Sequence, residues 1–361
     1  MQGQPNVGAI AFLCLVAAAC AGGELAATPG PADLGDDGGS TSGADAATPP
    51  SGGQGGTDAG GGGFDATTTD AGGRDAADAA VPTTASECFQ ALKGAVTGPD
   101  YDQFHPIIHP SCAGTHHQEI AGVQRLVFLG DSVTEGTPPN LPTQFYRTLV
   151  AEDVAKRFGT VDIADCAKWG AKMDDLLIGG QQIPKCFPND VDTRRTLVVM
   201  TMGGNDISNW AKDNLDTTAA TAKADESAGL LRDAMTWLKD PVRFPNGIDV
   251  VITNVYEYTD TSGDLLSCPA ASLAGFKANW PQGAPAIVHY QEQIMKVVVD
   301  TKIDMVFLLE HFCGHGYRRT DPTLQCYRGP NADLWFDLSC IHPNPTGHQQ
   351  IADLFGLVIH G

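Results

Sequence analysis

The run RLVFLG at 125–130 leads directly into Asp131, Ser132 and Val133. Ser132 therefore falls where the carboxyl end of a strand turns toward a helix. A serine hydroxyl attacks a carbonyl only if a base takes its proton and donors already point at the oxyanion that forms; a tight turn supplies free backbone N–H groups for that. Taken alone, the Gly-Asp-Ser tripeptide is equally a turn or a helix cap. Two further strand ends add to it. LVVMTM runs into Gly203, Gly204, Asn205 and Asp206, and CAKWGAK at 166–172 brings Gly170 to the end of another run. The Asn205 amide and the Gly170 N–H could face the crevice that holds Ser132, with the glycines of the Gly-Gly-Asn-Asp turn at positive φ. A fourth element, WFDLSCIHPNPTGH at 335–348, sets His342 ahead of Pro343 and an amphipathic helix. Imidazole has the pKa to act as base toward Ser132 and then as acid toward a leaving alcohol. His348, six residues on in the first turns of that helix, reads as a partly exposed surface histidine.

These residues need elements to hold them. Apolar runs at Leu126–Leu129, Val161–Ile163, Leu197–Met200, Val250–Ile252 and Met305–Leu309 read as central parallel strands, because they are apolar throughout rather than alternating. Between them, amphipathic stretches at 141–157, 222–239, 285–299 and 345–359 read as helices; Ile351, Leu354, Phe355 and Val358 share one face of the last. Five β-α units with right-handed crossovers give a three-layer α/β/α sandwich with a five-stranded parallel sheet, whose ligands bind beyond the carboxyl ends of the strands. Residues 86–124 read as an irregular extension tied by disulfides.

Four blocks in this order, GDSVTEG at 130–136, the glycine of KWGAK, GGND at 203–206 and HPNPTGH at 342–348, resemble the SGNH or GDSL hydrolases over roughly residues 125–360. The resemblance implies a flavodoxin-like fold, Ser132 as nucleophile, His342 as base, and an oxyanion hole of the Ser132 N–H, the Gly170 N–H and the Asn205 amide. It also implies ester or thioester hydrolysis without metal or other cofactor. The family usually has an aspartate three residues before the histidine, where this chain has Ser339. The nearest carboxylate is Asp337, which reaches the His342 Nδ1–H if the chain bulges through Cys340; otherwise a carbonyl such as that of Ser339 accepts that bond. Asp337 is the expected third member. Loops 134–142, 207–221 and 255–284 are expected to shape the pocket, and Trp169, Trp210, Tyr256, Tyr258, Trp280 and Trp335 are candidates to line it.

Composition bounds the rest. The formal charge of −21 disfavours nucleic acid and anionic lipid surfaces as partners. Residues 21–85 hold seventeen glycines, fifteen alanines and ten carboxylates, too few large apolar side chains for a core, and read as a disordered, self-repelling tether. Ahead of them, VGAIAFLCLVAAA at 7–19 has the length of a secretion signal rather than a membrane span, and AAAC at 17–20 resembles a lipobox that would place a lipid on Cys20. The expectation is a secreted or cell-surface monomer, with a membrane tether through Cys20 and a folded domain at 86–361.

Removing Cys14 and Cys20 leaves eight cysteines, and short loops close most easily. The expected pairs are Cys88 with Cys112, Cys166 with Cys186, Cys313 with Cys326, and Cys268 with Cys340. His109, Cys112, His116 and His117, or His311, Cys313 and His315, could be drawn as zinc sites, but disulfides with bystander histidines are preferred in an exported chain. The functional expectation is an exported serine esterase or lipase acting through an acyl-enzyme on Ser132. A carbohydrate acetylesterase of the same fold is the alternative, and a non-catalytic surface binding lipoprotein the rival from another class.

Overall fold

The structure, a computed structural model, describes residues 81–90 and 98–361. The expected signal, Cys20 and all but the last five residues of the 21–85 stretch lie outside the described residues. Five strands form one parallel sheet: β1 Arg125–Gly130, β2 Asp162–Asp165, β3 Thr196–Thr201, β4 Ile248–Thr253 and β5 Asp304–Val306, in the order β2-β1-β3-β4-β5. Every residue of β1, β3 and β4 is buried, which is why these runs carry apolar residues on both faces. The register sets Gly130 beside Thr201, so β1 and β3 end level and deliver Ser132 and Asn205 to the same rim.

The helices are α1 Ala85–Cys88, α2 Ser132–Glu135, α3 Tyr146–Phe158, α4 Gln182–Cys186, α5 Gly204–Lys212, α6 Thr217–Leu238, α7 Ala284–Thr301, α8 Leu308–Phe312 and α9 Pro345–His360. Strand order steps one way from β1 to β2 and the other way from β3 onward, so right-handed crossovers place the intervening helices on opposite faces. α6 starts where the Asp216 side chain accepts the Ala219 N–H at 2.8 Å, and buries Ala220, Ala224, Leu231, Ala234, Met235 and Leu238 along one stripe. α9 starts where Asn344 accepts the Gly347 N–H at 2.9 Å and Pro345 takes the first turn, where a missing N–H costs nothing.

The α/β/α sandwich with five parallel strands is as expected, with local differences. β2 is an edge strand, not a covered central one; Ile163 is 52% exposed. The fifth run stops being a strand at Val306. Beyond it the Phe307 N–H goes to Ala113 O and the Leu309 N–H to Asn254 Oδ1, each at 2.9 Å, and the chain coils into α8. This free edge of β5 is covered by the extension: Gly114 pairs antiparallel with Val306, and a Cβ at Gly114 would lie 2.2 Å from Met305 O. An edge closed this way cannot recruit another strand. The stretch expected as one helix from 141 is a short 3₁₀ turn at Pro142–Gln144 followed by α3. All four expected disulfides are present, Cys88–Cys112, Cys166–Cys186, Cys268–Cys340 and Cys313–Cys326. No helix among the described residues is long and apolar enough to cross a membrane.

Candidate active site

Gly130 closes β1 at φ 134°, and a Cβ there would meet Thr201 O at 2.3 Å, so only glycine lets the strand turn beside β3. Asp131 then caps α2: its Oδ1 accepts the Val133 N–H and the Thr201 hydroxyl, both at 3.0 Å. It is buried, and desolvation raises its pKa to about 6. The capping role weighed for this tripeptide is thus filled by Asp131, and Ser132 is left free for another. Ser132 opens α2, so its N–H has no partner among the described residues. Its Oγ lies 2.8 Å from His342 Nε2.

Gly170 lies in the loop after β2 at φ 74°, exposed, and its N–H also has no partner among the described residues. Four contacts fix that loop. The neighbouring Trp169 donates its backbone N–H to Glu135 Oε2 and its indole N–H to Gly136 O at 3.0 Å. Asn205, in the first turn of α5, lines the cavity and donates one amide hydrogen to Ala171 O at 2.9 Å; the other has no partner among the described residues. Asp206 accepts the Met173 N–H at 3.1 Å from the same loop, and burial raises its pKa to about 6. Of the two glycines expected at positive φ, only Gly203 is there, at 105°; Gly204 is already helical. Glu135, inside the GDSVTEG block, was the available signal for the contact between the Ser132 and Gly170 loops.

The third member differs from both expectations. Neither the Asp337 carboxylate nor the Ser339 carbonyl bonds to His342 Nδ1; the Ser339 hydroxyl does, at 2.8 Å. That hydroxyl in turn donates to Asp337 Oδ1, which also accepts the Ser339 N–H at 2.8 Å. A tight turn absorbs the five-residue separation: the Asp337 N–H bonds to His342 O at 2.9 Å, the Cys340 N–H bonds to Asp337 O at 3.1 Å, and Cys340 sits at φ 75°. The carboxylate ends one side chain away from the ring. With Ser339 donating to Asp337, its oxygen accepts Nδ1–H, and this tautomer leaves Nε2 to accept the Ser132 proton. Burial pushes the His342 pKa down to about 4 and that of Asp337 up to about 6. Asp337 Oδ2 is buried without a partner among the described residues.

His348 is fully buried, against expectation. Its ring packs near Phe145 and stacks on Tyr146, and Nδ1 accepts the Tyr146 N–H at 3.3 Å. The start of α9 is pressed onto α3, so this face never reaches solvent.

A cavity of about 150 Å³ opens beside Ser132 and His342. Residues from α5 and from the loop after β4 line it, as the 207–221 and 255–284 segments suggested, whereas the 134–142 segment does not reach it. Of the candidate aromatics, Tyr256, Tyr258 and Trp280 line it. Trp210 packs on Tyr290, and Trp335 stacks on His315. The two histidine–cysteine clusters have Cys112 and Cys313 in disulfides, and His311 bonds to the Cys112 carbonyl at 3.0 Å. No group of three or more potential metal ligands occurs among the described residues.

Fold and site together define a parallel α/β protein with a serine–histidine pair at the carboxyl rim of its sheet. The sequence model of the GDSL-like Lipase/Acylhydrolase family matches residues 128–350, more than half of the chain, and the chain belongs to that family, whose character is that of esterase- or lipase-type hydrolases. No curated protein matches it. Similar solved structures include the acetyl xylan esterase AlAXEase, 19% identical over 64% of this chain and 97% of that one, with a TM-score of 0.42. Phospholipase A1 from Streptomyces albidoflavus NA297 is 15% identical over 64% and 98%, with a TM-score of 0.42. An extracellular lipase from Streptomyces rimosus is 18% identical over 64% and 98%, also with a TM-score of 0.42.

Proposed function

We propose that the protein is a carboxylic ester hydrolase that works through an acyl-enzyme on Ser132. The observation that carries this reading is the continuous chain Ser132 Oγ, His342, Ser339 Oγ, Asp337 Oδ1, starting from a serine whose own N–H has no partner among the described residues. At neutral pH the His342 ring is unprotonated, because its pKa is held near 4, and Nε2 can accept. It takes the Ser132 proton as Oγ bonds to the ester carbonyl carbon. The oxyanion is received by the Ser132 N–H, the Gly170 N–H and the free hydrogen of the Asn205 amide. The tetrahedral adduct collapses, breaking the bond to the alkoxy oxygen, and Nε2–H passes its proton to the leaving alcohol. Water, deprotonated by Nε2, then attacks the acyl carbon and releases the acid, restoring Ser132. Throughout, the Ser339 hydroxyl accepts Nδ1–H, and the Asp337 anion behind it favours the imidazolium.

The same machinery serves lipid esters and the acetyl esters of carbohydrates. Export of the chain, with a lipid on Cys20, is part of the proposal. The four disulfides support it, since such bonds persist in oxidising compartments; membrane-fraction release of the Cys20→Ser variant tests it. For the chemistry, the full chain is assayed on p-nitrophenyl esters and labelled with an organophosphonate. Turnover with a single labelled serine at 132 is expected. Absence of both would return the protein to the surface-binding class.

A further inference from the structure

We propose that the cavity beside Ser132 is an acyl pocket that selects apolar acyl groups of about six carbons over acetyl. This rests on the esterase reading above and goes further by naming the substrate class. The cavity measures about 150 Å³; an apolar cavity of about that volume holds one benzene molecule. An acetyl methyl would leave most of it empty. Its wall is built from Ile207, Val255, Leu265, Phe276, Ile287 and Val288.

The polar groups of its aromatic residues and of Glu257 are turned away from this wall. The Tyr256 hydroxyl donates to Ile341 O at 2.9 Å, the Tyr258 hydroxyl to Leu265 O at 2.9 Å, and the Trp280 indole N–H to Leu215 O at 2.8 Å. Both carboxylate oxygens of Glu257 take backbone N–H groups, from Thr259 and Thr261. The aromatic residues therefore show the cavity ring faces and edges. The Ser208 hydroxyl is a buried lining group without a partner among the described residues, and Thr253 and Thr261 also line the cavity; two or three hydroxyls in a wall otherwise apolar fall short of the set a sugar ring requires. A chain of methylenes or a phenyl ring matches such a wall. The pocket belongs to the acyl side because the acyl group stays on Ser132 between the two half-reactions and gains from a shielded seat. The alcohol must leave and water must enter, for which the Gly170 side is exposed.

The test is a matrix of esters on the full chain: p-nitrophenyl acetate, butyrate, hexanoate and octanoate, and hexanoate esters of several alcohols. We expect kcat/KM to rise roughly fourfold per methylene up to hexanoate and to vary less with the alcohol. Val288→Phe and Ala284→Leu, which fill the cavity, should each lower the hexanoate-to-acetate ratio at least tenfold while melting like the parent. Acetate as the best ester, a dependence on the alcohol in place of the acyl chain, or folded variants with the parental ratio would each overturn the pocket and leave the Ser132 chemistry standing. No turnover of any ester, with no labelling of Ser132, would overturn the esterase reading and the pocket with it.

Discussion

The two halves of the site are held by different means. The Ser132 turn is fastened from within the sheet: Gly130 lies against Thr201, Asp131 caps α2, and Thr134 bonds both the Tyr146 hydroxyl at 2.6 Å and the Thr201 hydroxyl at 2.8 Å. The His342 loop has no strand beneath it. It relies on a tight turn, on the disulfide between Cys340 and Cys268, and on the Ser339 hydroxyl between ring and carboxylate. Central strands fix a residue through many shared contacts, while a loop fixes one through a few specific ones. Substitutions should therefore act on chemistry alone at the first region, and on chemistry and local stability together at the second.

The largest effect is expected at the first. Ser132→Ala removes the proposed nucleophile and should abolish both the acyl-enzyme burst and organophosphonate labelling, with an unchanged melting curve. Labelling retained at another serine would show that the turn is only structural. At the second region, replacing Cys268 and Cys340 together by serine opens a loop of sequence separation 72 and should cost about 4 kcal/mol in urea unfolding. The contrast between the regions predicts that kcat falls in this variant even under conditions where it remains folded. Full activity in the folded variant would mean that the turn at Asp337 to His342 holds itself.

What could be read from the sequence divides along the same line. Ser132 and Asn205 follow apolar runs, and an apolar run that ends in glycine states both the strand and its exit, so their arrival at one rim of the sheet was visible in the spacing. His342 was visible too, through the proline and the helix pattern behind it. The hydroxyl of Ser339 was not, because spacing counts residues and does not show how a turn with Cys340 at positive φ aims a side chain. The early end of β5 was hidden for a related reason: the partners of Phe307 and Leu309 are Ala113 and Asn254, far away in sequence. Nor could helical periodicity tell that the first turn of α9 carries His348 inward onto α3.

Intermediate effects sharpen the comparison. Asn205→Ala removes one oxyanion donor from a rigid helix start and should cost roughly 2.7–4 kcal/mol in kcat/KM with little change in KM. A loss under tenfold would reduce Asn205 to a tie between α5 and Ala171. Ser339→Ala removes the acceptor of Nδ1–H and one of two donors to Asp337 Oδ1, leaving the His342 Nδ1–H unsatisfied in a part-buried loop. A fall in kcat of about 10- to 100-fold is expected, since such orphaned groups cost roughly 1–3 kcal/mol. Ser339→Thr, which keeps the hydroxyl, should restore most of it; failure of that rescue would assign the loss to packing.

The smallest effect should come from Asp337→Asn, because the carboxylate acts on the ring only through Ser339. Its oxygen still accepts from Ser339 after the change, so kcat at pH 8 should fall by about tenfold or less, below the loss in Ser339→Ala. The pH profile carries the finer information. Asp337 has its pKa raised by burial to about 6 from an ordinary 3.8, so the anion behind the relay is lost as pH falls through 6, and the parental acid limb of kcat/KM should lie there. In the variant no carboxylate titrates behind the relay, and the part of the limb it sets should move down toward the His342 value of about 4, while any part set by Asp131 or Asp206, also near 6, stays. Stability should move the other way from activity. A group that holds its proton more tightly folded than unfolded stabilises the fold below 3.8, and that contribution is lost as pH rises to about 6. The neutral amide avoids burying the charge, so at pH 8 Asp337→Asn should melt at the same temperature as the parent or higher. A large loss of kcat with the acid limb fixed and a lower melting temperature would mean that Asp337 serves the loop as an anchor rather than the imidazolium as a counter-charge.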